Sequence, residues 1–132
     1  MECGVFTEFE SPAGMSLSTA FDESVAQMKA AEEFGLDAVW LAEIHFLSVA
    51  LRGSASREAV AERLGEISYE DVLREQVIYG SPEAVADRLL ALREVLGFSS
   101  FSGWMNCGGQ IPHERVLECM RLFAERTLPR LA

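Results

Sequence analysis

Two residues with acid–base potential, Glu43 and His45, directly follow a continuous apolar segment at residues 38–42. Histidine has an unperturbed pKa near neutrality, so His45 is suited to act as a general base at physiological pH. Glu43 and His45 are therefore residues whose types could do acid–base chemistry at the end of a predicted strand. A structural interpretation competes with it, in which His45 hydrogen-bonds Glu43 or a backbone carbonyl, and Glu43 closes the end of the sheet through an ion pair.

The remaining histidine and the cysteines do not form a metal-binding pattern. His113 is predicted in the first turn of the last helix, facing solvent, and no other ligands stand near either histidine at usable spacing. Cys3, Cys107 and Cys119 are odd in number and lack a C-x-x-C spacing. We therefore expect free thiols, buried or half-buried, and neither a disulfide framework nor a metal site.

Two segments have backbone N–H groups that a phosphate could use. One is the predicted helix start at Gly80 and Ser81, and the other is the Asn106–Gln110 loop with its paired glycines. Neither has a lysine nearby, so an ordinary helix cap and an ordinary turn are the competing interpretations. Trp40 and Trp104 fall on predicted strands, where packing in a core is favoured over stacking on a cofactor.

The composition limits the classes of partner. The chain has 132 residues, 21 of them acidic and 11 basic, with a net charge of -10. Nucleic-acid binding needs clustered lysine and arginine, and binding to an anionic membrane needs basic residues too, so neither partner is expected. With no signal-like start and no long apolar stretch, the sequence predicts a soluble cytoplasmic protein.

The first third of the chain has the pattern of a strand–helix–strand unit. A short apolar run at residues 3–6 predicts a strand, and a helix is predicted from Ser18 to Phe34, with Gly35 as its left-handed cap. The continuous apolar segment 38–42 predicts a strand buried on both faces, as in parallel sheets. The crossover between the two strands should be right-handed.

The pattern is weaker after residue 43 and clear again after Gly80. Short helices are predicted at 57–64 and 69–75, the second capped by Ser68, and 76–79 is either a strand or an extended entry to the next helix. A helix from Ser81 to Leu96, a strand at 98–104 and a last helix ending near Pro129 follow. The side chains expected to face inward are Ala20, Phe21, Val25, Met28, Ala31, Phe34, Val85, Leu89, Leu92, Leu96, Val116, Met120, Phe123 and Ala124.

Both ends of the chain resemble the bacterial luciferase-like flavin-dependent monooxygenases. Residues 4–46, which end in Glu43-Ile44-His45-Phe46, resemble the family's first strand–helix–strand unit, whose second strand ends in Glu-His-His-Phe. Residues 79–97, Trp104 and the terminal helix through 121–129 are similar to the family's last two helices and final strand. The resemblance covers about two thirds of the chain.

The resemblance implies a partial (β/α)8 TIM-barrel-like fold, because a complete barrel needs roughly 250 residues. It predicts one domain, 1–132, in which 1–46 resembles the start of the barrel, 47–68 is an unmatched helical connector and 69–132 resembles its end. Three to four parallel strands flanked by helices are expected, in the order last, first, second. Such a sheet cannot close, and open edges invite pairing with another chain, so a homo-oligomer is expected.

The resemblance also implies a cofactor and site residues. Reduced FMN, dioxygen and an aldehyde-like substrate are expected, with Glu43 and His45 as catalytic residues and Phe6, Trp104 and Ser81 as cofactor-binding residues. Ile44 stands where the family has its catalytic histidine. Two functions follow: a flavin monooxygenase that is incomplete as a lone chain, or a non-catalytic module that acts through self-association. A third hypothesis makes 43–75 a helical insert that binds another ligand.

Overall fold

The computed structural model describes residues 1–9, 11–12, 14–42 and 67–132. The chain divides into two compact units. The first unit joins Met1–Ala42 to Gly80–Ala132, and the second is Glu43–Tyr79. The two ends of the chain thus fold together, and they are nearly the same segments that carry the family resemblance.

The first unit contains three parallel strands. β1 is Glu2–Glu8, β2 is Ala38–Ala42 and β3 is Ser100–Trp104, and they lie in the order β2-β1-β3. Both pairings are parallel, with Gly4 opposite Ala38 and Glu2 opposite Ser100. The prediction of an α/β protein with a parallel sheet in the order last, first, second is therefore confirmed. Residues 77–79 are not in a strand, so the sheet has three strands in the part of the chain that the structure describes.

Helix α1, Leu17–Glu33, connects β1 to β2. The Ser16 side chain caps it by accepting a hydrogen bond from the Thr19 N–H at 3.0 Å. The helix ends at the predicted Gly35, which adopts φ 76°. Asp37 then fixes the start of β2, because the Cys3 N–H donates to Asp37 Oδ2 at 2.8 Å and the Asp37 N–H donates to the Cys3 carbonyl at 2.8 Å.

In the second unit, the described residues form one short helical segment. α2 is Tyr69–Asp71, and a π-helical turn, Val72–Gln76, continues it. Ser68 caps it as predicted, in a reciprocal capping box with Asp71. The hydrogen bonds from Ser68 and Arg74 hold the pKa of the Asp71 carboxyl below its ordinary value.

Helix α3, Pro82–Leu96, is capped at both ends as the sequence predicts. Ser81 accepts a hydrogen bond from the Ala84 N–H at 3.3 Å, and Gly97 ends the helix with φ 67°. After β3, α4 (His113–Leu122), a π-helical turn (Phe123–Thr127) and α5 (Leu128–Leu131) form one continuous C-terminal helical segment. It extends slightly past the predicted end at Pro129.

The helices pack against one face of the sheet, called the covered face here. Cys3, Val5 and Thr7 of β1 are buried on this face. Phe101 of β3 lies 6.3 Å from Phe123 between ring centroids, which places the C-terminal helical segment there as well. The remaining core side chains are mostly small or aliphatic: Ala20, Ala31, Leu36, Ala86, Leu89, Val116, Met120 and Leu131.

Several predictions of burial are wrong, in the strand β2 and in the helices α1 and α3. β2 is not buried on both faces, because it is an edge strand: Val39 is 38% and Leu41 47% exposed. In α1 the buried positions are Ala20, Ser24, Gln27 and Ala31, whereas the predicted Phe21 is 52% exposed. In α3 only Ala86 and Leu89 are buried, and the predicted Leu92 and Leu96 are exposed.

Candidate functional site

Three aromatic side chains form a row across the face of the sheet opposite the helices. Phe6 of β1 is in register with Trp40 of β2 on one side and Trp104 of β3 on the other. Residues in register on parallel strands point to the same face, so the three side chains share one face, called the open face here. The Phe6 and Trp104 rings meet edge to face, with centroids 5.4 Å apart and planes at 75°.

The aromatic row, Trp40–Phe6–Trp104, is accessible from solvent. Both tryptophans are 39% exposed, and Phe6 is half-buried. The prediction that Trp40 and Trp104 pack in the core is therefore wrong. Both lie on edge strands, and the helices cover the other face. Two of the predicted cofactor-binding residues, Phe6 and Trp104, are in contact, and Trp40 extends the same surface.

Gly4 is the position that lets Trp40 lie flat across the open face. A Cβ atom at Gly4 would collide with the indole ring of Trp40 and with the carbonyl oxygen of Ala38. Gly4 is buried because the ring of Trp40 takes the place of its side chain. This close approach requires glycine.

A small cavity lies at the carboxyl end of β1, between α1 and the turn that follows β3. It encloses about 20 Å³, enough for a water molecule but far below the roughly 300–1,000 Å³ of typical ligand pockets. Its lining residues are Thr7, Glu8, Pro12, Met15, Ala20, Glu23, Ser24, Gln27, Asn106 and Gly109. Glu8 and Glu23 give this cavity a negative character, and among the described residues that line it there is no lysine or arginine.

The buried polar groups of α1 find partners near this cavity. The Ser24 hydroxyl donates to the Ala20 carbonyl at 2.8 Å, within the same helix. The Gln27 side chain lies 3.2 Å from Nδ1 of His113 at the start of α4. His113 is thus half-buried and in contact with α1, whereas the sequence predicts that it faces solvent. This contact joins α1 to the C-terminal helical segment.

Ser81 is separate from the aromatic row and acts as a helix cap. Its hydroxyl oxygen accepts a hydrogen bond from the Ala84 N–H, and the neighbouring Glu83 lies at the same helix terminus. Hydrogen bonds from the Glu83 backbone N–H and from Ser81, together with the charge of Arg126, hold the pKa of the Glu83 carboxyl below its ordinary value. A carboxylate already sits at the positive end of α3, where it would repel an incoming phosphate.

The Asn106–Gln110 segment forms a self-contained turn. Asn106 accepts hydrogen bonds from the Gly109 N–H at 3.2 Å and, through its side chain, from the Ile111 N–H at 3.1 Å. The Gln110 side chain donates to the Gly108 carbonyl at 3.0 Å. The Gly109 N–H, one of the groups considered for phosphate binding, is therefore used within the turn.

Glu43 and His45, the predicted catalytic pair, lie outside the described residues, as does Ile44. Of the three thiols, Cys3 is buried, and burial raises its pKa, whereas Cys107 and Cys119 are exposed. Across 1–9, 11–12, 14–42 and 67–132, no three side chains of His, Cys, Asp or Glu come together as metal ligands. In the same ranges, no helix combines the length and apolar character needed to cross a bilayer.

The described residues thus define an α/β unit with an open, three-stranded parallel sheet, helices on one face and an aromatic row on the other. Comparisons with protein-family models, with curated proteins and with solved structures found no match for this chain.

The aromatic row is the feature that residue-by-residue reasoning missed. Phe6 and Trp104 are identified through the resemblance, but Trp40 is assigned to the core. Aligning the two apolar segments in parallel, with Gly4 opposite Ala38, would have put Phe6 opposite Trp40. A glycine inside a strand, with an aromatic residue two positions along on the neighbouring strand, is the sequence signal for such an overlap.

Proposed function

We propose that this chain is a non-catalytic, self-associating module related to the two ends of a luciferase-like (β/α)8 barrel. The observation that carries the proposal is a sheet covered by helices on one face, with exposed apolar side chains along the outer strand β2 and at Trp104 of the outer strand β3. The strand order β2-β1-β3, with the described helices of this unit on one side, is what the first, second and last strands of such a barrel would form. The acidic composition and free thiols support a cytoplasmic setting.

The open edges give the physical reason for association. In the part of the chain that the structure describes, β2 and β3 each pair with β1 alone, so their outer backbone edges have no partner strand there. An unpaired edge is a template for another strand. The exposed apolar side chains along these strands would lose contact with water on association, which favours it.

The negative charges near the candidate phosphate-binding segments disfavour binding of FMN, the cofactor that the resemblance implies. Glu8 and Glu23 line the cavity at the strand ends, and Glu83 occupies the helix terminus at Ser81. With a net charge of -10, the chain as a whole also repels a dianionic phosphate. The described residues therefore fit the ring of a flavin, through the aromatic row, but not the phosphate of FMN.

Self-association is tested by light scattering coupled to size-exclusion chromatography and by sedimentation velocity. We expect an oligomer at micromolar concentrations that becomes tighter as ionic strength rises from about 0.01 to 0.15 M, because the Debye length falls from roughly 30 to 8 Å and the repulsion between acidic copies weakens. A monomer throughout this range of salt and concentration would contradict the proposal.

A second candidate, flavin binding followed by the family's monooxygenase reaction, is favoured by one observation: the aromatic row presents exposed indole rings on which a planar ring can stack. Thermal unfolding with millimolar FMN or riboflavin tests it, with a Trp104→Leu variant and a Leu17→Ala variant as matched control. A rise in unfolding temperature that is lost only in Trp104→Leu would support flavin binding. No rise with either flavin would exclude this candidate.

A further inference from the structure

We propose that the open face of the sheet binds a small planar aromatic cation, such as an N-alkylated nitrogen heterocycle, on the aromatic row. This is a ligand site and does not depend on the proposed self-association. Two features of the same face carry it: aromatic rings that solvent can reach, and carboxylates on strands without basic residues. Both features belong to the first unit of the chain.

The aromatic row offers ring surface of the kind on which a planar ligand stacks. Trp40 and Trp104 are each 39% exposed, and Trp40 lies across Gly4. On the open face, the register line next to the row holds only small residues: Ala38, Gly4 and Ser102. No large side chain of that line therefore covers the rings. Offset stacking on an indole ring is a favourable arrangement for a planar aromatic ligand.

Two carboxylates of β1 give the open face a negative charge. Residues 3, 5 and 7 of β1 are buried on the covered face, so the alternate residues Glu2, Phe6 and Glu8 point to the open face. Glu8 is two residues from Phe6, which corresponds to about 7 Å along the strand. β1, β2 and β3 contain no lysine or arginine, and neither carboxylate is in an ion pair with another described residue.

The exposed indole rings and the carboxylates favour the same ligand charge. A cation over the face of an indole ring is attracted by the ring quadrupole. A carboxylate two residues along the strand, at about 7 Å, adds a Coulomb attraction. The net charge of -10 also raises the local concentration of cations and repels anions. A planar aromatic cation therefore fits this face better than a neutral or anionic ring of the same size.

Three ligands of similar size and shape separate the effect of charge from that of stacking: 1-methylnicotinamide is a cation, nicotinamide is neutral and nicotinate is an anion. The chain has two tryptophans, both in the aromatic row, so the two indole N–H signals in a 1H–15N NMR spectrum report on the site. We expect 1-methylnicotinamide to shift both signals and to saturate at concentrations on the order of millimolar. Nicotinamide should bind about tenfold more weakly, and nicotinate should cause no saturable shift.

Two variants test which groups provide the binding. Glu8→Gln removes the carboxylate nearest the row, and we expect it to weaken 1-methylnicotinamide binding about threefold at low ionic strength while nicotinamide binding is unchanged. Trp104→Leu should weaken binding of both ligands about fivefold or more, measured on the Trp40 signal. Glu114→Gln, at an exposed position of α4, removes the same charge away from the sheet and is the control. Circular dichroism establishes that each variant is folded.

Saturable binding of the cation that is weakened by Glu8→Gln and by Trp104→Leu, but not by Glu114→Gln, would support the proposal. Each of three results would overturn it: no saturable shift with 1-methylnicotinamide, equal affinity for the cation and nicotinamide, or binding that neither Glu8→Gln nor Trp104→Leu weakens. Indole signals that shift with protein concentration but not with the cation would show that a second copy covers the row. That result would overturn the ligand site and leave self-association standing.

Discussion

Replacing Gly4 with alanine is expected to lower the free energy of unfolding by about 2–3 kcal/mol, the upper part of the range for forcing atoms into a packed site. The added Cβ would meet the Trp40 ring and the Ala38 carbonyl oxygen at the same time. The ring could turn away, but the carbonyl belongs to the backbone of the paired strand and cannot move without disturbing the register. Urea denaturation followed by far-ultraviolet circular dichroism measures the loss.

Gly103→Ala is the matched control for this prediction. Gly103 is also a buried strand glycine, but its added Cβ would meet the flexible end of Met105 at 3.2 Å and the Phe101 ring at 3.3 Å. These side chains can move by a few tenths of an ångström, so we expect the free energy of unfolding to fall by less than about 1 kcal/mol. Tryptophan fluorescence provides a second measurement, since only Gly4→Ala should displace Trp40 from the open face. Equal losses in the two variants would contradict the overlap of Gly4 and Trp40.

Truncating Leu89 to alanine should cost about 3 kcal/mol of stability, within the roughly 2–5 kcal/mol that buried leucine-to-alanine changes remove. Leu89 is 1% exposed and is the largest fully buried side chain of α3. Its removal leaves a cavity beneath α3, and the loss depends on how far the surrounding side chains can collapse into it. Chemical denaturation under conditions where the chain is monomeric measures the effect.

Leu17→Ala gives the contrast, since Leu17 is 79% exposed at the start of α1. Its truncation removes little buried surface, and alanine favours the helix, so we expect a change within about 0.5 kcal/mol. A similar loss in both variants would show that Leu89 is not part of a packed core.

Local signals predicted the elements well. Ser81 and Pro82 mark the start of α3, Gly97 marks its end, and Ser68 caps α2, because caps depend on residues a few positions apart. The strand order was also correct, since the resemblance placed the last strand beside the first. The exact register between neighbouring strands, however, cannot be predicted from the sequence of one strand alone. Without the register, Trp40 could not be assigned to the open face.

Burial was predicted less well, for a physical reason that Phe21 and Leu92 illustrate. Hydrophobic periodicity shows that a helix has an apolar side but does not show what covers it. Phe21 is 52% and Leu92 37% exposed, although each belongs to the apolar stripe of its helix. The candidate catalytic pair stays a prediction, because Glu43 and His45 lie outside the described residues.

The central place of β1 has a consequence for how the molecule is assembled during synthesis. β1 is made before β2 and can pair with it early, but the partner of its other edge, Ser100 opposite Glu2, is made much later. Closing so long a stretch of chain is entropically costly and slows folding. The nascent chain therefore carries the central strand β1 without its β3 partner until β3 has been made. A chaperone that shields extended apolar segments would have its longest opportunity at Cys3–Thr7.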